Sequence, residues 1–256
     1  MKMNEVFCNT FKALRKQIDF EEIKKQTDFM LPSLTMINAC RADEFDFFLP
    51  WIEAGKLTEG QMHLLAQRYF LGKTKSGLPM FWMIDDTLTP LDAHIGTDSW
   101  LSMLLKKREP ILNCWKVQHC LFGLHLLSME LPAAGNIPVS IVESETSAVV
   151  LSGLFPESLW LSYATTSHIV PDLLAPLKGC TVRIFPRTDS TMSTYLFFKD
   201  LTNLVRKKYD IDIYVDATLE EFATEDQKSR GIDILDFLYE ASKPSESSVD
   251  YLRNQH

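Results

Sequence analysis

The residues best suited to chemistry are carboxylates placed where the apolar pattern changes period. In Ile137–Gly153, Val139, Ile141 and Val142 make a short β-branched run suited to a buried strand, and Thr146 to Leu151 fits successive turns of a helix packed on it. Glu143, Ser144 and Glu145 stand between the two. In an open parallel sheet the carboxyl ends of strands face a crevice into which helix N-termini point, so ligands and reactive groups collect there. Asp189 follows the third strand of the same series, which predicts Glu143 and Asp189 at one sheet edge whatever the strand order. Two or three carboxylates so placed could bind Mg2+ or Mn2+, hard cations that keep several waters and bridge to phosphate oxygens. Asp233 and Asp236, in Gly231–Leu238, have helical spacing and join them as candidate metal ligands. The alternative is that Asp233 caps a helix and Asp236 is solvated.

Other clusters carry weaker chemistry. Asp85 and Asp86 read as turn formers at a hairpin tip rather than as a metal pair, and Lys106-Lys107-Arg108 as a solvated helix end rather than a phosphate contact. Cys114, His119, Cys120 and His125 hold the inventory of a zinc site, but adjacent His119 and Cys120 point in different directions, unlike a metal knuckle. Burial of Cys120, Leu121, Leu124 and Leu127 is the expected account of that stretch.

The elements that must position the carboxylates are predicted by period. Residues 1 to about 70 read as helical, with Phe7, Phe11, Leu14 and Ile18, and later Phe45, Phe48, Trp51 and Ile52, at helical spacing. Pro32 and the Leu34–Arg41 stretch are expected to separate the early helices. Thr58-x-x-Gln61 has the form of a capping box, opening a helix to about Tyr69. Gly72 and Gly77 flank a turn, Met80–Ile84 is β-prone, and Leu91–Ile95 is the expected returning strand of a hairpin. Beyond Val142 the order is helix, strand Leu159–Ser162, helix Pro171–Leu177, strand Thr181–Phe185, helix Thr191–Tyr209 and strand Asp212–Val215. Strands alternating with helices imply βαβ units and a mainly parallel sheet, an α/β fold. The long helix should bury Tyr195, Phe198, Leu201 and Leu204, and the polar tail from Ser242 is expected to be disordered.

Composition bounds the function. With 256 residues, 46% of them hydrophobic and 11% aromatic, the chain can bury a sizeable core. Its formal charge of -8, from 34 acidic residues against 26 Lys and Arg, provides no whole-molecule positive field to gather nucleic acid. Local patches or bound cations would have to supply one. Five scattered cysteines without a leader suggest a reduced, cytoplasmic protein, and no apolar run reaches the roughly 20 residues that would span a bilayer.

The order of Ile141-Val142-Glu143-Ser144-Glu145 with a small-residue helix, then Pro176-Leu177-Lys178-Gly179-Cys180-Thr181-Val182-Arg183-Ile184-Phe185-Pro186-Arg187-Thr188-Asp189, then Gly231-Ile232-Asp233-Ile234-Leu235-Asp236, resembles the Toprim domain. It looks most like the primase-type Toprim-like proteins of bacterial plasmids and mobile elements. The stretch from Tyr69 to Gly123 resembles the β-rich segment that precedes Toprim in those proteins, so the likeness covers about residues 69 to 240. It implies a Rossmann-like sheet whose first strand ends in a catalytic Glu and whose third ends in Asp-x-Asp, together holding Mg2+ for phosphoryl transfer. Position by position, Glu143 matches the Glu and Asp189 the second Asp, while Arg187 occupies the place of the first Asp. An arginine there would occupy or repel a divalent cation, and it could bind phosphate directly as a bidentate donor, with Lys178 of the same segment as a second candidate. Thr146, where relatives often have Lys, and Ala164-Thr165-Thr166, where they often have a Gly-rich turn, depart in the same direction.

The resulting expectation is a helical region over residues 1–70, a β-containing subdomain over 71–134, a Toprim-like α/β domain over 135–240 and a tail over 241–256. The function expected is that of a primase-related, nucleic-acid-associated protein of a mobile element with a degenerate metal site. Its partners would be DNA or RNA, and replication or mobilisation proteins, with no membrane. Two alternatives stay open: an active Mg-dependent primase or nuclease, and an interaction protein on a Toprim scaffold.

Overall fold

A computed structural model describes residues 32–96, 98, 99, 120–134, 138–164 and 169–242. The expected N-terminal helix bearing Phe7, Phe11, Leu14 and Ile18, the Lys106-Lys107-Arg108 cluster, Cys114 and His119, Thr165 and Thr166, and the tail beyond Ser242 lie outside the described residues.

Helix α1 (Leu34–Cys40) stands where a break between helices was expected; the Ser33 side chain accepts from Met36 N at its start, and Ile37 is buried. After a 3-10 turn (Asp46–Phe48) and α2 (Leu49–Glu53), α3 (Glu59–Arg68) opens with the reciprocal Thr58–Gln61 capping box that the sequence predicts. A four-stranded antiparallel sheet follows, in the order β1 (Gly72–Lys73), β2 (Pro79–Ile84), β3 (Pro90–Ile95) and β4 (Asp98–Ser99). Its β2–β3 hairpin pairs Phe81 with His94 and Met83 with Asp92. At the hairpin tip, one Asp85 carboxylate oxygen accepts from Thr87 N, Thr87 Oγ1 and Thr89 N, so Asp85 is a turn former.

After α4 (His125–Ala134) comes a four-stranded parallel sheet built from β5 (Val139–Val142), β6 (Leu159–Ser162), β7 (Thr181–Ile184) and β8 (Asp212–Val215). The spatial order is β6-β5-β7-β8. Register sets Val139 beside both Leu159 and Val182, and Val182 beside Ile213, a row whose members are at most 1% exposed. Burying each such side chain is worth about 1.5–3 kcal/mol, so this row fixes the register. Helix α5 (Glu145–Leu154) connects β5 to β6 and packs on α3. Their close approach needs Gly153, where a Cβ would sit 2.7 Å from Leu65 and 2.9 Å from Leu57. The fold is thus the expected mixed α/β architecture around a parallel sheet.

Two elements differ from expectation. Pro171–Leu177 is a 3-10 helix, because Pro176 lies inside it and cannot supply an α-helical N–H. The long helix, α6 (Ser193–Tyr209), buries Phe198, Leu201, Thr202 and Val205, whereas Leu204 is 55% exposed. The 3.6-residue period explains the swap, since Val205 lies four positions after Leu201 and carries the buried stripe past Leu204. Short helices α7 (Thr218–Phe222) and α8 (Glu225–Arg230) lead to α9 (Ile234–Ser242), which packs on α5. Among the described residues no helix is long and apolar enough to cross a membrane.

Candidate functional site at the carboxyl edge of the parallel sheet

The connection from β5 runs to one side, to β6, whereas that from β7 runs to the other, to β8. The strand order therefore reverses between β5 and β7, and it is outside the carboxyl ends of strands at such a point that open α/β sheets bind ligands. Glu143 follows β5 on one side of this point and Arg187 follows β7 on the other. They meet there, with Arg187 Nη1 3.6 Å from Glu143 Oε2. The arginine side chain is 48% exposed and the glutamate 20%, so the guanidinium faces outward above a mostly covered carboxylate. Desolvation raises the Glu143 pKa; Arg187 opposes that shift, and the charges of Asp233 and Glu145 add to it.

Local sequence explains the placement. Ser144 is extended and its hydroxyl accepts from Ser147 N, capping α5 and turning Glu143 and Glu145 out on either side. Arg187 is seated against Gly231, the left-handed C-cap of α8 at φ +64°, where a Cβ would lie 2.8 Å from Arg187 Nη2. A side chain at that position would displace the guanidinium.

The other expected ligands have different occupations. Asp189 lies at the same edge, but Oδ1 accepts from Thr191 N, Thr191 Oγ1 and Ser193 N, and Oδ2 from Ser193 Oγ and Thr194 N. Desolvation acts to raise its pKa, yet the hydrogen bonds from Thr191 and Thr194 outweigh it and hold the carboxyl far below the usual range. Asp189 is thus the anchor of the α6 N-terminus. Asp233 and Asp236 form a reciprocal box at the start of α9: Asp236 N donates to Asp233 Oδ1 at 2.9 Å, and Asp233 N to Asp236 Oδ2 at 3.3 Å. Asp233 also accepts from Ser147 Oγ at 2.5 Å, which ties α9 to α5. Burial raises its pKa against the Ser147 hydrogen bond. Lys178 precedes β7 and so lies at the opposite end of that strand from Arg187. The two candidate phosphate contacts are thereby separated by the length of the strand.

A divalent cation suits this donor set poorly. The Arg187 guanidinium is paired with Glu143, five donors saturate Asp189, and Asp233 is committed to Ser147 and to the α9 cap. Among the described residues, no group of three or more His, Cys, Asp and Glu side chains is arranged to hold a metal.

Sequence reasoning missed one pair. His94 Nδ1 donates to Glu145 Oε1 at 2.5 Å, with both side chains largely buried, joining β3 of the antiparallel sheet to the first residue of α5. Burial acts to lower the His94 pKa, but the hydrogen bond and charge of Glu145 outweigh it and the pKa is raised. The available signal was the alternation in β3, where Asp92 and His94 fall on the face opposite Ala93 and Ile95.

A family model described as a domain of unknown function (DUF6371) matches residues 46–188, more than half of the chain. The chain belongs to that family. No curated protein matches it. Among solved structures, the Aquifex aeolicus primase (zinc-binding and RNA polymerase domains) is similar at a TM-score of 0.38 and 14% identity. The alignment covers 92% of this chain and 61% of that one, so this chain spans less than two thirds of the primase fragment's length.

Proposed function

We propose that the carboxyl edge of the parallel sheet is a phosphate-binding site for nucleic acid on a Toprim-like scaffold, with an arginine in place of the divalent metal. The observation that carries this reading is the position of Arg187: exposed, seated against Gly231, and paired with Glu143 at the point where the strand order reverses. A guanidinium fixed in that way offers a planar fork to a phosphate oxygen pair, and it supplies local positive charge in a chain of net charge -8. In the Toprim resemblance the first Asp of Asp-x-Asp falls at this position, and its replacement converts a cation site into an anion site. The scaffold would comprise residues 135–240, with the preceding β-containing segment over 71–134 and the helical region over 1–70 as adjoining parts. The ligands would be DNA or RNA, and the setting that of a cytoplasmic protein of a mobile element working beside replication or mobilisation proteins.

Titration of a fluorescent single-stranded oligonucleotide with and without chelator tests the reading. Binding should persist in the chelator and weaken at least tenfold in Arg187→Glu, because the substitution replaces a charge-assisted donor with a repelling carboxylate. Binding equal in the wild type and Arg187→Glu would remove the proposal. Binding abolished by the chelator would favour a metal-dependent enzyme instead.

A further inference from the structure

The parallel-sheet edge receives a histidine side chain from the other sheet. In β3, Ala93 and Ile95 turn toward a small apolar cluster with Ile37, Trp82 and Ile84, so Asp92 and His94 face the opposite way. His94 reaches the first turn of α5 and meets Glu145 at 2.5 Å. Glu145 and Glu143 stand on either side of Ser144, the α5 cap, and Glu143 meets Arg187. An imidazole from β3 and a guanidinium from the segment after β7 therefore pair with carboxylates two residues apart in sequence.

We propose that His94, held in place by Glu145, is a second phosphate-contacting residue of the Arg187 site, and that the ligand it meets is the backbone of a single-stranded nucleic acid. This inference rests on the reading of that edge as a phosphate site. With Nδ1 fixed on a carboxylate, the imidazole is oriented, and Nε2 is the nitrogen that the Glu145 contact does not use. An Nε2–H directed at a phosphate oxygen makes a charge-assisted hydrogen bond, and the Arg187 guanidinium makes another to the same or the neighbouring phosphate. Glu145 is a positioning residue: it aims the ring and favours its charged form. The pair also makes the antiparallel sheet part of the site, which would otherwise be built from the parallel sheet alone.

The salt dependence of oligonucleotide binding separates a contact from a structural strut. On a single strand each phosphate contact contributes about 0.7 to the slope of log K against log salt. At pH 6 the His94→Gln protein should bind a fluorescent oligothymidylate about tenfold more weakly, with a slope shallower by about 0.7. Arg187→Gln should lower the slope by a similar amount, and His94→Arg should restore it. Glu145→Gln should weaken binding less than His94→Gln. In wild-type protein, the His94 Nε2 resonance should shift when pyrophosphate is added, a readout that needs no variant to fold. If Arg187→Gln lowers the slope while His94→Gln leaves it unchanged and the Nε2 resonance stays still, His94 is only a strut and the inference fails while the phosphate site stands. If wild-type protein binds neither oligonucleotide nor pyrophosphate, both fall.

Discussion

Replacing His125 with leucine should remove a large part of the protein's sensitivity to mild acid. His125 is fully buried; Nε2 donates to the Arg68 carbonyl at 3.1 Å, and among the described residues Nδ1 has no partner. Burial pushes its pKa down to about 4 from an ordinary value near 6.5. A base whose pKa is depressed by folding favours the folded state in its neutral form. Its contribution is therefore intact above the unfolded pKa and is lost as pH falls from about 6.5 toward 4. At pH 4.5 the proton would bind the unfolded chain almost fully and the folded one only in part, a loss of about 2–3 kcal/mol. Urea unfolding at pH 7 and pH 4.5 measures this. The leucine variant should start about 1 kcal/mol less stable at pH 7, because the Arg68 carbonyl loses its donor. Between pH 7 and pH 4.5 it should then lose about 2–3 kcal/mol less than the wild type. His94, Glu143 and Asp233 titrate in both proteins and cancel in the comparison. An equal acid-induced loss in the two proteins would refute the assignment of a buried neutral imidazole.

Two further outcomes follow from the placement of side chains. Asp189→Ala removes the acceptor for Thr191, Ser193 and Thr194 and should cost about 1–2 kcal/mol in urea unfolding, as loss of a helix cap does; no loss of stability would mean that Asp189 is free for another role. Phe198→Ala should cost about 3–5 kcal/mol while Leu204→Ser stays within about 0.5 kcal/mol, and thermal melting that ranks them the other way would contradict the buried face of α6.

Much of this architecture was legible because local rules and tertiary structure agree. The β-branched Val139–Val142 run, the Thr58–Gln61 box, the Asp85 turn and the Leu159–Ser162 and Asp212–Val215 strands each carry their own signal within a few residues. The sheet edge was legible for the same reason, since a parallel strand followed by a helix places its next residue at the carboxyl end regardless of strand order. What escaped depends on contacts made at long range. The His94–Glu145 pair joins residues 51 apart in sequence, and the alternation in β3 gives the face on which His94 lies but not its partner. The occupation of Asp189 was visible in principle, because Asp189-Ser190-Thr191-Met192-Ser193-Thr194 surrounds a carboxylate with hydroxyl and backbone donors at a helix start. Its position relative to the expected Asp-x-Asp drew it into a metal reading instead. Lys178 and Arg187 belong to one segment, but the strand between them sends the two side chains to opposite ends of the sheet.

Calorimetric titration of Mg2+ and Mn2+ into the wild type, Glu143→Gln and Arg187→Asp tests the central claim most directly. With Arg187 filling the cation position, the wild type and Glu143→Gln should give no binding heat at millimolar metal, and Arg187→Asp should acquire a site by placing a second carboxylate beside Glu143. Saturable binding by the wild type that disappears in Glu143→Gln would contradict the account and establish a working metal centre at this edge.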